Sequence, residues 1–381
     1  MRVGIFTNNY KPIVGGLTVS ISNFRKGLQD LGHQVHIFAP QFNSYKDKED
    51  HIFRYPSART KYKTEFPVAL PSSKDEKYFK ENKIELIHSQ HPWVVGRYGL
   101  KLAKRFNIPI IFTNHTMYSQ YVDYLPKLLP RRLAMYFIEK SAIRYANKTN
   151  AVIAPTPGVK EYLLGKGVKR PIYIVPSGVE QESLRSAPPA NLRERFKIPE
   201  DHKLLLNLSR VGPEKNLPLI LEAYKRALVE YPNISLVMAG GGAYLETLKE
   251  KAKEMGLESR VFFTGQVDMD KRGGYFKEGD VFVHSSLSET QGLIMVDSMA
   301  VGVPVVAVKA QGVVDVVEDG KSGLLTGGSA DDLAKGILRL LRDDELRKRL
   351  SRGALQRAGE YTIEKTSKKL EEVYREVLSS F

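Results

Sequence analysis

The chain is constrained most by short, almost wholly apolar runs that alternate with segments of helical periodicity. Arg2–Thr7, Ile84–Ser89 and Ile108–Thr113 are such runs, and the pattern recurs at Lys203–Leu208 and Ile234–Ala239. Strands that are apolar along their whole length are typical of parallel sheets covered by helices on both faces. The repeated order of strand, loop, helix and strand therefore predicts a doubly wound α/β architecture.

Two domains are predicted, because 381 residues exceed what one core usually serves. The periodicity breaks in Pro176–Pro199, and we place the inter-domain linker there. This gives a Rossmann-like domain over 1–180, a second over 181–361 and a final helix over 362–381. Residues 41–75 lack clear periodicity and are predicted to form a long surface excursion.

The positive charge is concentrated in the first half of the chain. Residues 1–180 hold 28 Lys and Arg against 13 Asp and Glu, whereas residues 181–381 hold 30 of each. This asymmetry indicates an acidic partner for the first half, such as an anionic membrane surface, a nucleic acid or another polyanion. A Lys- and Glu-rich, thermophile-like surface is the alternative, although it accounts less well for a one-sided excess.

A helix predicted over Pro126–Lys148 mixes basic and apolar residues, as helices in a membrane interface do. Its apolar positions cover more than one face, so part of it is expected to pack in the core. Cysteine is absent, which excludes disulfides, thiol catalysis and cysteine metal sites. The first residues form a strand pattern and not a signal peptide, and no apolar span of 18 residues follows, so we expect a cytoplasmic protein.

The stretch Ser286–Pro304 has the pattern of a loop and a helix start after a buried strand. The backbone N–H groups at a helix N-terminus bind anions, so Gly292 and Leu293 are suited to hold a phosphate. Glu289 and Asp297 flank this point and can address hydroxyls of a sugar or ribose. The same spacing is equally typical of a Glu289 that caps the helix and an Asp297 that is solvated.

Further candidate residues follow other predicted strands of the two halves. Arg210 and Lys215 can clamp phosphate oxygens, although basic pairs are commonly solvated. Glycine runs permit close backbone approach to a ligand and are also common in turns; they comprise Gly15 and Gly16 in the first half and Gly240, Gly241 and Gly242 in the second. His115 follows the strand Ile108–Thr113, where α/β sheets bind ligands, although a lone histidine is usually structural.

With these features in view, nearly the whole chain resembles the retaining, family-4 type glycosyltransferases of GT-B fold. The resemblance is carried by Gly15-Gly16, His115, Leu208–Asn216 (LSRVGPEKN), the glycines from 240, FFTGQVD from Phe262 and SETQGLIMVDSMAVGVPVVA from Ser288. It implies two Rossmann-like doubly wound domains facing a cleft, the first binding the acceptor and the second the nucleotide-sugar donor. The C-terminal helix is expected to return to the N-terminal domain.

The resemblance also assigns roles to individual residues. Arg210 and Lys215 would bind the donor diphosphate, and Glu289 would contact the transferred sugar. Asp297 would hold the ribose, with Val267 near the base. The family usually has glutamate where this chain has Asp297, so the ribose contact would be bridged by water or met by a shifted helix.

The run His115–Tyr118 with Tyr121, together with the loop Ser288–Leu293, further resembles the diacylglycerol glucosyltransferases. This implies transfer of a hexose, glucose by expectation, from a UDP-sugar to a lipid such as diacylglycerol at the inner face of the cell membrane. His115 would orient sugar or acceptor, and no metal, cofactor or nucleic acid is expected. The alternatives are a soluble or polysaccharide acceptor, a hydrolytic nucleotide-sugar epimerase and a basic nucleic-acid-binding protein.

Overall fold

The chain divides into two compact units, which a computed structural model describes for residues 1–13, 15–42, 45–58, 67–71, 74–116 and 130–381. The first unit comprises Met1–Gly178 together with Ile363–Phe381, and the second comprises Val179–Thr362. The first unit is therefore built from two separate stretches of sequence.

A parallel sheet forms the centre of the first unit. Its strands run in the order β3-β2-β1-β6-β7-β8-β9, and a short antiparallel pair β4-β5 lies outside it. The strands are β1 (Arg2–Phe6), β2 (Gln34–Pro40), β3 (Ile52–Tyr55), β4 (Ser57–Ala58), β5 (Val68–Ala69), β6 (Leu86–Ser89), β7 (Ile110–Thr113), β8 (Ala151–Ala154) and β9 (Ile172–Ile174).

Helices cover both faces of this sheet, which explains why its strands are apolar throughout. They are α1 (Gly16–Asp30), α2 (Lys74–Glu81), α3 (Val95–Phe106), α4 (Arg131–Ala146), α5 (Pro157–Gly165) and, from the end of the chain, α15 (Ile363–Ser379). Ile5 packs with Phe24 of α1 in one core cluster, while the next residue, Phe6, packs with Leu102 of α3 in another. Successive residues of β1 thus serve opposite cores.

The C-terminal helix belongs to the first unit, as predicted. Tyr374 of α15 is fully buried, and its hydroxyl lies 2.6 Å from His88 Nδ1, whose Nε2 lies 2.6 Å from Thr113 Oγ1. Helix α15 also packs closely on α1, where a Cβ atom on Gly27 would lie 2.0 Å from Ser367 Oγ. A side chain at position 27 would therefore push the two helices apart.

The second unit repeats the architecture with a parallel sheet in the order β12-β11-β10-β13-β14-β15. Its strands are β10 (Lys203–Leu208), β11 (Ile234–Ala239), β12 (Val261–Gly265), β13 (Val281–His284), β14 (Val305–Val308) and β15 (Gly323–Thr326). Its helices are α6 (Gln181–Ser186), α7 (Leu192–Phe196), α8 (Leu217–Glu230), α9 (Leu245–Glu254), α10 (Arg272–Glu278), α11 (Leu293–Ala300), α12 (Val313–Val316), α13 (Ala330–Arg342) and α14 (Asp344–Ala358).

Strand β10 shows how this sheet is buried on both faces. Leu205 packs in a cluster with Leu221 of α8, whereas Leu206 packs in a second cluster with Met299 of α11. The predicted doubly wound α/β architecture is confirmed in each unit.

Two predictions about irregular segments hold only in part. The predicted linker Pro176–Pro199 does contain the boundary between the units, at 178/179, but most of it forms α6 and α7, whose Leu184 and Leu192 are buried in the core of the second unit. The predicted surface excursion over 41–75 supplies β3, an edge strand with the fully buried Tyr55. These elements are too short to show a period in the sequence, and tertiary packing stabilises them.

We expect Gly27→Ala to lower the stability of the first unit by about 1–3 kcal/mol, because the new methyl group overpacks the contact between α1 and α15. The single tryptophan, Trp93, lies in this unit, so its fluorescence during urea titration reports the relevant unfolding. Gly165→Ala is the matched control, since a Cβ at this helical position meets no atom within 4 Å. Equal unfolding midpoints for the two variants would contradict the packing argument.

Candidate functional site

The candidate site of the second unit lies where the neighbouring strands β10 and β13 end. Beyond β10 the chain forms a short 3₁₀ turn, Pro213–Lys215, and beyond β13 it forms the loop that contains Glu289. Parallel strands bring their carboxyl ends to one edge of the sheet, which brings these two segments together. Lys215 Nζ donates to Glu289 Oε1 at 2.6 Å, and both side chains are largely buried.

Glu289 is held as a carboxylate by its neighbours. Burial alone would raise its pKa, but the Lys215 ammonium and the His284 ring outweigh this, and the pKa of Glu289 lies well below its ordinary value. Helix α11 has Gly292 at its N-cap and no side-chain cap, so the alternative in which Glu289 caps this helix is wrong. The carboxylate faces Lys215 instead.

Ser285 fixes the backbone of the Lys215 turn. Its hydroxyl lies 2.9 Å from the carbonyl oxygens of both Lys215 and Asn216, and its side chain is buried. The end of β13 therefore positions Lys215 through the main chain as well as through Glu289. Sequence reasoning missed this serine, because a serine after a strand carries no distinctive signal.

Arg210 occupies a more open position. Its side chain is 46% exposed, and Nη2 donates to Glu214 Oε1 at 2.7 Å. Each of the two predicted phosphate-binding cations thus has a carboxylate partner in this structure. A diphosphate at this point would compete with Glu214 for Arg210 and with Glu289 for Lys215.

The glycine run after β11 is required by the protein backbone itself. Gly240 and Gly242 have φ angles of 138° and 155°, and a Cβ atom on them would lie 1.8 Å from the Ser209 carbonyl oxygen and 2.2 Å from that of Val211. The Gly241 carbonyl accepts a hydrogen bond from Val211 N–H at 2.9 Å. The turn interpretation accounts for these glycines, and contact with a ligand stays a prediction.

Gly292 adopts a left-handed conformation with φ of 71°, and α11 begins at Leu293. The helix therefore begins at the predicted point, and the binding of a phosphate by its first-turn N–H groups stays a prediction. Val267 is 8% exposed and packs in the same core cluster as Met295. Its expected position near a base is untested.

Asp297 is buried and paired, so the alternative of a solvated Asp297 is wrong. Arg272 of α10 donates from Nε to Asp297 Oδ2 at 2.8 Å and from Nη2 to Oδ1 at 3.3 Å. The guanidinium is 9% exposed and the carboxylate 4%. Both carboxylate oxygens thus already have a partner within the protein, which the sequence did not reveal because Arg272 stands in a charged stretch that looks solvated.

The remaining candidates lie in the first unit. His115 follows β7, its Nε2 lies 2.5 Å from Gln90 Oε1, and burial lowers its pKa to about 3 with a smaller effect of His91 and His88. The imidazole is therefore neutral near pH 7. Gly15 and Gly16 stand at the start of α1, and a Cβ on either would meet no atom within 4 Å.

Other predicted features fall outside the described residues, namely Met117, Tyr118 and Tyr121 and the first part of the predicted helix Pro126–Lys148. In the portion of the chain that is described, no three His, Asp or Glu side chains are grouped as a metal site would require. Nor does any helix of that portion have the length and apolarity needed to cross a membrane.

Comparisons with known families agree with the division into two units. Residues 14–183 match the model described as Glycosyltransferase Family 4, and residues 190–357 match Glycosyl transferases group 1. The alpha-monoglucosyldiacylglycerol synthase of Streptococcus pneumoniae is 34% identical over 356 residues, covering 90% of this chain and 78% of that protein. The chain therefore belongs to the family-4 type glycosyltransferases, as the sequence predicted.

Further relatives show the range of acceptors among similar proteins. The alpha-monoglucosyldiacylglycerol synthase of Acholeplasma laidlawii is 27% identical over 390 residues, covering 99% of this chain and 98% of that one. The D-inositol 3-phosphate glycosyltransferase of Thermobispora bispora is 27% identical over 397 residues, covering 96% and 90%.

Solved structures show the same fold. Sucrose-phosphate synthase of Thermosynechococcus elongatus superimposes with a TM-score of 0.82 at 21% identity, covering 100% of both chains. HepE of Anabaena in complex with UDP and glucose gives 0.80 at 18% identity, covering 99% of this chain and 100% of that one. The fold is the predicted GT-B class with two Rossmann-like units.

We expect Asp297→Asn to destabilise the second unit by about 3–5 kcal/mol, because it leaves a buried guanidinium without its counter-charge. The double variant Arg272→Met/Asp297→Leu, which removes both charges, should recover most of the loss. Differential scanning calorimetry measures both, with Asp331→Asn as the control that breaks the exposed ion pair to Arg226. A mild effect of Asp297→Asn on stability combined with loss of UDP binding would instead support the ribose role.

Proposed function

We propose that this glycosyltransferase moves glucose from UDP-glucose to diacylglycerol with retention of configuration. The observation that carries the proposal is the likeness, over 90% and 99% of the chain, to two proteins named alpha-monoglucosyldiacylglycerol synthase. An α-glucoside formed from an α-linked nucleotide sugar requires net retention at the anomeric carbon. The complex of HepE with UDP and glucose supports the choice of a uridine donor for this fold.

The donor would bind at the end of β10 and β13. In the proposed complex Lys215 and Arg210 turn from their carboxylate partners to the diphosphate, and the N–H groups of Gly292 and Leu293 add further donors. Glu289, released from Lys215, would then accept hydrogen bonds from the sugar hydroxyls. Because the chain supplies the positive charge, the proposed reaction uses no metal ion or cofactor.

The proposed reaction forms a bond between the acceptor oxygen and the anomeric carbon on the face from which UDP leaves. The bond from this carbon to the phosphate oxygen breaks, and the phosphate oxygen takes the proton of the acceptor hydroxyl. Negative charge on the departing diphosphate is stabilised by Arg210 and Lys215. His115, as a neutral imidazole, would orient the sugar or the acceptor.

Helix α4 of the first unit supports a lipid acceptor. Its first half exposes Leu133, Tyr136 and Phe137 to extents of 43%, 52% and 54%, whereas its second half buries Ala142 and Tyr145. The prediction that part of this segment packs in the core is therefore confirmed. Large exposed side chains on a basic helix are typical of proteins that rest on a membrane surface.

A cavity at the second half of α4 supports an anionic membrane as the partner. It measures about 460 Å³ and is lined by Arg97 and Leu100 of α3 and by Ser141, Arg144, Tyr145 and Lys148 of α4 and the residues after it. Among the described residues, no carboxylate lies within salt-bridge distance of Arg97, Arg144 or Lys148. Three cations without an acidic partner among the described residues fit the phosphate groups of an anionic lipid, which supports the proposal of peripheral attachment to the inner membrane face.

The proposal is tested by measuring UDP release and the glucolipid product. UDP-glucose and UDP-galactose are each offered with diacylglycerol, monoglucosyldiacylglycerol, inositol phosphate or water, with and without EDTA. Glucose transfer to diacylglycerol with an α-linked product, unaffected by EDTA, is expected. Transfer to inositol phosphate alone would establish the soluble-acceptor alternative, and UDP release without an acceptor would establish the hydrolytic one.

For the donor site, Arg210→Ala and Lys215→Ala should each lower kcat by about 100-fold, since each removes a charge from the leaving group. The double variant should lose less than the product of the two single losses, because both side chains serve one diphosphate. Arg226→Ala is the control, since Arg226 is 49% exposed and also ion-paired in the second unit. Full activity and unchanged UDP affinity in both single variants would refute the donor assignment.

For the membrane, replacing Arg97, Arg144 and Lys148 by Gln should weaken binding to anionic vesicles about 100-fold, at about 1 kcal/mol per cation, and leave UDP binding unchanged. The control variant replaces three exposed lysines of the second unit, Lys249, Lys321 and Lys348. Vesicle sedimentation at low and high salt measures both. Equal binding by the two variants, or stronger retention on DNA than on vesicles at physiological salt, would overturn the membrane partner.

A further inference from the structure

The Glu289 carboxylate has a second neighbour besides Lys215. The Nε2 atom of His284, the last residue of β13, lies 3.6 Å from Glu289 Oε1. The same oxygen accepts the hydrogen bond from Lys215 Nζ at 2.6 Å. The His284 side chain is 2% exposed. One carboxylate oxygen is thus flanked by a cation that holds it and a ring nitrogen just beyond hydrogen-bonding distance.

His284 Nε2 is buried and has no partner within 3.5 Å among the described residues, although at 3.6 Å it already acts on the Glu289 carboxylate. A buried polar group without a partner destabilises the folded state, so its retention in a folded protein requires a reason. The ring lies nearly parallel to Phe282, with centroids 6.3 Å apart. An apolar ring would suit this environment better, unless the nitrogen acquires a partner in another state of the site.

Glu289 Oε1 can become the partner of His284 Nε2 once Lys215 moves away. We propose that His284 is a positioning residue that forms a hydrogen bond to Glu289 Oε1 when Lys215 turns to the donor diphosphate. The Nε2–H group would then donate to the carboxylate and keep it in the orientation that Lys215 gave it. The inference rests on the proposed function, because that function assigns Lys215 to the diphosphate.

Ser285, the residue after His284, allows this exchange without a change in the backbone. Ser285 Oγ contacts the carbonyl oxygens of Lys215 and Asn216, so the Lys215 backbone stays anchored while its side chain turns. His284 is fixed in β13 by its pairing with Ala307 of β14. His284 therefore holds Glu289, and Ser285, the next residue, holds the backbone of Lys215. Only the Lys215 side chain needs to change direction.

Two substitutions separate this role from packing. His284→Phe keeps a ring of similar size without a donor, and His284→Gln keeps an N–H donor. We expect His284→Phe to lower kcat about 10- to 100-fold with KM for UDP-glucose within about twofold of wild type, the range for a hydrogen bond to a charged group. His284→Gln should restore most of kcat, a rescue that a purely structural role would not give.

The effect should pass through Glu289. In a Glu289→Gln background, adding His284→Phe should cause no further loss of kcat beyond about twofold, because the carboxylate is already gone. A loss that multiplies with that of Glu289→Gln would overturn the inference. So would a wild-type kcat in His284→Phe alone.

A readout without turnover separates this inference from the proposed function. With the eight histidines labelled with ¹⁵N, addition of UDP should shift one imidazole resonance that is missing from His284→Phe. UDP binding without such a shift overturns the role of His284 and leaves the donor site intact. Failure of wild-type protein to bind UDP overturns the donor assignment itself, and the inference with it.

Discussion

The ion pair between Lys215 and Glu289 is the contact on which the candidate site depends. It joins segments 74 residues apart in sequence, and it forms because β10 and β13 are neighbours in a parallel sheet. Burial would make either charge costly alone, whereas together they neutralise each other within hydrogen-bonding distance. The turn after β10, the end of β13 and the start of α11 therefore share one electrostatic centre.

This pairing gives the site a resting state without excess charge. Arg210 is matched by Glu214 and Lys215 by Glu289. Under the proposed function, these carboxylates hold the two cations until the donor diphosphate replaces them. An anion must bring more than charge to succeed, because it has to match both positions together. If the proposed donor site is correct, this arrangement favours a diphosphate over simpler anions.

The sequence predicted the strands of the two sheets well, because burial on both faces leaves an unmistakable apolar run. Lys203–Leu208 and Ile234–Ala239 have the predicted bounds, and most others differ by one or two residues. The edge strand β3 was missed, since Ile52, Phe53 and Arg54 are all only partly buried and show neither an apolar run nor an alternating pattern. The helices α6 and α7 were missed because their few residues are specified by contacts with the core of the second unit.

Side-chain partners were the least predictable feature. Nothing in the sequence joins Arg272 to Asp297, or Ser285 to the Lys215 turn, before the fold is known.

The position of α15 has a consequence for how the chain acquires its structure. All of the second unit lies between Gly178 and Ile363 in sequence, so a ribosome completes it before the last helix of the first unit has been made. Until then the core around Phe24 lacks Leu370 and Tyr374, and the His88 ring lacks its phenol partner. The unit that begins first during synthesis is thus the one that finishes last, and its apolar face must stay protected while the second unit folds.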